Sequence, residues 1–149
     1  GGNPLNWTTS SVTNMDSMFY EAAAFNQDIS EWDTSSVITM RGTFYNAYKF
    51  NQDISEWDIS NVESIALMFR NANIFNADIS GWDVSIVTDM EHMFNAASAF
   101  NRDISSWNTE KVSDAKRTKM FKSATAFKNG HGNGHVSNNM IKKNSDFWD

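Results

Sequence analysis

The chain has 149 residues and a net charge of −6, with 40% hydrophobic and 13% aromatic residues, one proline and no cysteine. That length suits one domain with its own core. The balance excludes a disordered tail and a membrane span, and the lack of cysteine removes disulfide frameworks, thiolate zinc sites and cysteine nucleophiles together.

The opening Gly-Gly-Asn-Pro has neither an initiator methionine nor a signal-peptide pattern, which reads as a fragment or processed product. In Leu5-Asn6-Trp7 the apolar residues alternate, as in a short strand. Val12, Met15, Met18, Phe19, Ala22 and Phe25 then stay within a face of roughly 140° at helical pitch, predicting a helix. Next comes F-N-Q-D-I-S-E-W-D at 25–33, which returns unchanged at 50–58 and in altered form at 75–83 and 100–108. Its D-I-S-x-W-D core predicts a very short or bulged strand, because isoleucine and tryptophan are three apart rather than two. Ser35-Ser36 and Ser60-Asn61, just before a valine, are N-cap candidates.

Trp7, Trp32, Trp57, Trp82 and Trp107 are each 25 residues apart, as are Val12, Val37, Val62, Val87 and Val112. A repeat of that period buries each unit's apolar face by stacking on its neighbours. A strand, a turn and a helix per repeat predict a right-handed α/β solenoid of about five coils, spaced about 4.8 Å apart, with columns of Trp, Val, Phe and Ile. After Trp107 the step slips: Met120-Phe121 arrive two residues late, and the solenoid is expected to end near residue 128. Residues 129–149 form a Gly/Asn-rich segment, in which M-I-K-K-N-S-D-F-W-D at 140–149 is expected to fold back as a cap over the last coil.

The pattern V-x-x-M-x-x-M-F-x-x-A-x-x-F-N-x-D-I-S-x-W-D-x-S, over residues 3 to about 128, resembles the repeat of BspA-type leucine-rich-repeat surface proteins. More narrowly it resembles their 25-residue tryptophan-containing branch in bacterial surface lipoproteins, a family of unknown function. The resemblance implies a leucine-rich-repeat-like solenoid on a secreted or surface-attached protein, with adhesion or protein binding as its role. It carries no catalytic residues.

Asn26, Asn51, Asn76 and Asn101 predict an asparagine ladder, since an amide both donates and accepts. Asp28, Asp53, Asp78 and Asp103 form a second polar column, and Asp33, Asp58 and Asp83 a third. Like charges at coil spacing repel by roughly 1 kcal/mol in water and more near protein, so each carboxylate needs an offset. Backbone amides of the adjoining turn are one; Ca²⁺ held through oxygen by Asp28, Asp53, Asp78 and Asp103 is the other. Ser30, Glu31, Asp33, Ser55, Glu56, Asp58, Ser80, Asp83 and Ser105 are the partner-binding candidates, because the residue after each serine changes in a way core packing does not require. Thr9, Thr34 and Thr109 invite comparison with flat ice-binding surfaces, but Ile59 and Val84 interrupt them.

Residues 1–106 hold 14 acidic and 4 basic residues, and 107–149 hold 4 acidic and 8 basic, so the molecule is electrically polar along its length. Lys111, Lys116, Arg117, Lys119, Lys122 and Lys128 read as a solvated helix face rather than a nucleic-acid site. His131 and His135, four apart among glycines, are poorly placed for metal. The sequon Asn6-Trp7-Thr8 is discounted as a glycosylation site because its tryptophan belongs to the core column. No Ser-His-Asp arrangement, phosphate loop or zincin motif occurs. The expectation is a non-enzymatic binding or adhesion module, extracellular or on the cell surface, facing a protein or glycan; the alternative is an assembly subunit docking through coil ends of opposite charge. Neither nucleic acid nor membrane insertion is expected.

Overall fold

The computed structural model describes residues 5–130. Equivalent residues of successive units stack on one another, so the core consists of parallel files. Phe19, Phe44, Phe69, Phe94 and Phe121 form one file of stacked rings, with centres 5.4, 5.7, 5.7 and 5.5 Å apart. Phe25, Phe50, Phe75, Phe100 and Phe127 form a second, at 6.0, 5.9, 6.1 and 5.8 Å. Within each unit the two phenyl rings lie against each other, as in Phe44 and Phe50 at 3.8 Å. Trp32 stacks on Trp57 at 6.4 Å and Trp82 on Trp107 at 6.5 Å. These spacings exceed the about 4.8 Å that hydrogen-bonded neighbouring backbones impose.

The predicted strand-turn-helix unit does not form. Among the described residues the regular elements are the 3-10 turn Asp114–Arg117 and the α-helix Thr125–Gly130, both in the fifth unit. Each repeat is instead a succession of tight turns. The N–H of Trp32 bonds to the Ile29 carbonyl, that of Val37 to Thr34, that of Ala47 to Phe44 and that of Phe50 to Ala47. In such a turn the first and fourth residues can both face inward. This is why isoleucine and tryptophan sit three apart, and it reproduces the spacing that reads as a helix.

The segment predicted as helix holds the coil-to-coil pairing. Asn14, Thr39, Ser64 and Asp89 are joined by parallel β-bridges. From there the donors alternate. The N–H groups of Met15, Ser17, Phe19 and Glu21 reach the carbonyls of Thr39, Arg41, Thr43 and Tyr45 at 2.8–2.9 Å, while those of Met18, Tyr20 and Ala22 turn back three residues. An α-helix would direct all of them within the segment. Two left-handed residues per unit prevent that: Ser17 and Glu21, Gly42 and Asn46, Leu67 and Asn71, His92 and Ala96, Lys119 and Ser123, all with φ between 53° and 63°. A non-glycine residue there costs roughly 1–2 kcal/mol, offset by a ladder in which each bond contributes about 1 kcal/mol net. The N-cap candidates also serve neighbours: Ser36 Oγ donates to the Ser10 carbonyl and Asn61 Nδ2 to that of Ser35.

Each indole adds a tie that the sequence did not suggest. Trp57, Trp82 and Trp107 donate Nε1–H to the carbonyls of Ile29, Ile54 and Ile79 in the preceding unit, each at 3.1 Å, and Trp32 donates to Leu5 at 2.7 Å. A buried indole N–H is thereby satisfied. In the fifth unit the ladder resumes with a longer step, the N–H of Met90 reaching Lys116 and that of Phe94 reaching Met120. The two extra residues are thus absorbed before Lys116, beside the 3-10 turn.

Candidate functional site

The two ends of the unit's outer arc are organised by short side-chain bonds. Asn26 Oδ1 accepts the N–H of Asn51, Asn51 Oδ1 that of Asn76, and Asn76 Oδ1 that of Asn101, at 2.7–2.9 Å. The ladder is structural, with each amide oxygen bonding the next unit's backbone. Both aspartate files close turns. Asp28, Asp53, Asp78 and Asp103 each accept the N–H of the serine two residues on, as do Asp33, Asp58 and Asp83. The backbone amides of Ser30 and Ser80 hold the carboxyls of Asp28 and Asp78 below the ordinary aspartate value, and the hydroxyls of Ser35 and Ser85 do the same for Asp33 and Asp83. Like-charge repulsion within a file is offset by local hydrogen bonds. Among the described residues no three His, Cys, Asp or Glu side chains gather as a metal site.

One place on this surface departs from the repeat. An open depression of about 520 Å³ is lined by Asn51, Asp53, Ser55, Glu56, Asn76, Ala77, Asp78, Ser80, Gly81 and Arg102. Two substitutions create it. Gln52 Nε2 covers the Asn26 carbonyl at 2.9 Å and Arg102 Nε covers that of Asn76 at 2.7 Å; Ala77, in the same file, leaves Asn51 without such a cover. Gly81 stands where Glu31, Glu56 and Ser106 stand, and a Cβ there would meet nothing within 4 Å. The acidic residues Asp53, Glu56 and Asp78 and the basic Arg102 are among those that line the hollow. It offers acceptors for a hydroxyl-rich or cationic group and a planar donor for an oxyanion.

Of the sequence-predicted partner-binding residues, Ser55, Glu56 and Ser80 meet in this hollow, joined by Asp53 and Asp78 from the aspartate file. Ser30, Glu31, Asp33, Asp58, Asp83 and Ser105 lie elsewhere on the outer arc. The unlike residues Ala77 and Gly81, four apart in one unit, were the signal for the hollow. The threonine file is interior: Thr9, Thr34 and Thr109 are buried, which removes an ice-binding surface. Trp7 joins the tryptophan file, stacked on Trp32 at 5.4 Å, but as its first member it is 55% exposed. Arg117 is buried rather than on a basic face, donating to the carbonyls of Val112, Thr109 and Ser113. Lys116 pairs with Asp89 at 2.9 Å. Two surface features escaped the sequence reading. Tyr20 and Tyr45 pack edge to face at 5.1 Å with Arg70 over Tyr45, and Asp89 gathers both Lys116 and Arg41. His131, His135 and the expected cap at 140–149 lie outside the described residues.

Stacked units, a continuous aromatic core and a variable polar surface define the class: a repeat protein. The chain matches the family described as Mycoplasma protein of unknown function, DUF285, over residues 3–85 and again over 54–148. It belongs to that family. The two matches are offset by about two repeats, as expected where each unit can align with the next but one. No curated protein and no solved structure matches the chain.

Proposed function

We propose that this chain is a non-enzymatic binding or adhesion module of a surface or secreted protein, presenting its outer arc to a protein or glycan. In this reading it is a right-handed leucine-rich-repeat-like solenoid of the BspA type. Parallel backbone bonding from each unit to the next, with the aromatic files stacked beside it, supports that shape. The hollow at Ala77 and Gly81 carries the functional reading: core files repeat, while two adjacent surface files lose their long side chains in the same unit. Packing gains nothing from that loss, whereas a ligand gains access to main chain, carboxylates and Arg102. Extracellular placement follows from the resemblance.

The test restores the repeat. Ala77→Gln with Gly81→Glu fills the hollow with the side chains that other units carry there. Against immobilised glycans and extracellular-matrix proteins, the native chain should be retained and the double variant released, with unchanged melting temperature. Equal retention of both would end this reading. A second reading, assembly through oppositely charged ends, is favoured by the acidic first four units and the exposed Lys111, Lys119 and Lys122 of the fifth. Light scattering across salt concentrations separates the two: salt-sensitive self-association favours assembly, and a constant monomer favours the side-face ligand.

A further inference from the structure

The file Tyr20, Tyr45, Arg70, Asn95 and Lys122 changes along the stack from aromatic to basic. The N–H groups of Tyr20, Tyr45, Arg70 and Asn95 turn back three residues, and the carbonyls of Tyr45, Arg70, Asn95 and Lys122 accept from Glu21, Asn46, Asn71 and Ala96 of the preceding unit. The backbone is spent between units, and only side chains are on offer. Arg70 is the member that packing does not explain. Arg41 pairs with Asp89, Arg102 Nε donates to the Asn76 carbonyl, and Arg117 donates to the carbonyls of Val112, Thr109 and Ser113. The half-buried Arg70 instead lies over the Tyr45 ring, 5.2 Å from its centre. Its Nε is buried without a hydrogen-bond partner, and among the described residues no side chain or carbonyl accepts from its guanidinium. A planar cation positioned by an aromatic face keeps its N–H fork for an oxyanion.

The surroundings of Arg70 are basic in a chain of net charge −6. Burial first, then the charges of Arg70, Lys119 and Lys122, lower the His92 pKa against the pull of Glu91, so these cations act on one place. At the other end of the row the chain's three tyrosines gather. Tyr20 packs edge to face on Tyr45 at 5.1 Å, and the Tyr20 pKa is raised chiefly by Glu21, with Tyr45 and Tyr48 adding to the shift. Tyr20 and Tyr48 are 46% and 40% exposed. We propose that this row binds a linear acidic polysaccharide, with sugar faces on Tyr20 and Tyr45 and a carboxylate or sulfate on Arg70. Tyrosine presents a flat apolar face with a hydroxyl at its rim, which suits a sugar ring, and the guanidinium fork suits the oxyanion. Five positions at about 4.8 Å per unit make a row about 19 Å long, the reach of a short oligosaccharide. An added peptide strand is disfavoured, because the N–H and carbonyl groups of Tyr45, Arg70 and Asn95 are already paired. Nucleic acid is disfavoured by the negative net charge. The row shares no residue with the lining of the hollow at Ala77 and Gly81, so it is a second site.

The test titrates the full chain calorimetrically with three soluble probes: heparin fragments, which carry sulfate, hyaluronan fragments, which carry carboxylate alone, and neutral dextran. An acidic fragment should bind and dextran should not; binding of heparin alone assigns sulfate to Arg70, and binding of hyaluronan assigns carboxylate. Arg70→Gln should weaken binding about tenfold. Tyr20→Ala, at an exposed side chain, should weaken it severalfold with the melting temperature unchanged. Lys111→Gln, which removes the same charge from an exposed position outside the row, should change nothing. Ala77→Gln with Gly81→Glu should bind acidic fragments as the native chain does, so that neutral glycans and proteins report the hollow and acidic fragments the row. Failure of both acidic fragments to bind, or equal binding of dextran, overturns the proposal. So does equal weakening by Lys111→Gln, undiminished affinity in Tyr20→Ala, or loss of acidic binding in the variant with the hollow filled.

Discussion

Units two to four and the fifth unit are built on the same residues but are joined differently. In the regular units every phenylalanine has a phenyl above and below it, and the backbone ladder runs without a break. The fifth unit carries two extra residues, yet its Met120, Phe121 and Phe127 are as buried as their counterparts. The ladder tolerates the insertion because it bonds only part of each unit. Residues added beside the 3-10 turn shift the numbering of the ladder without unpairing it. What the fifth unit has in exchange is local: the buried Arg117 guanidinium, which donates to the Val112, Thr109 and Ser113 carbonyls.

The sharpest way to break this comparison is Phe69→Ala. Phe69 touches Phe44, Phe94, Phe75 and Trp82, so the cavity should cost about 3–5 kcal/mol. In urea melts followed by hydrogen exchange, protection should fall across the regular units together; a loss confined to one unit would contradict continuous files. Arg117→Ala comes next. It removes the guanidinium from the Val112 carbonyl, while that of Thr109 keeps the Val112 N–H, at a cost of about 1–3 kcal/mol, with exchange faster in the fifth unit than in the second.

The smallest effect lies at the boundary between the two regions. Burial, then the charge of Arg70, lowers the His92 pKa below its ordinary value of 6.5, with Lys119 and Lys122 of the fifth unit adding to the shift and Glu91 opposing it. Asn95 Nδ2 lies 3.0 Å from His92 Nδ1. Because the folded pKa is depressed, the unfolded chain takes up the proton first. Stability is therefore full above about pH 6.5 and falls as the pH drops below it. His92→Asn should flatten that part of the stability-pH curve; an unchanged slope would show that His92 does not set it.

The period, the aromatic files, the asparagine ladder and the turn-closing aspartates were legible in the chain. A side chain repeated every 25 residues can be buried in every copy only if copies stack, whatever the local backbone does. Half the hollow was legible as well: Gly81 was visible as a change beside an unvarying serine, but Ala77 matters only once Gln52 and Arg102 are seen to lie over the preceding unit's carbonyls. The helix, the strand and the place of the ladder were decided by the tertiary structure alone. A three-residue spacing of Val, Met and Phe suits a helix and a run of turns equally well. The choice between them depends on whether the N–H of Met15 finds a carbonyl nearby in sequence or that of Thr39 in the next unit, and only stacking supplies Thr39.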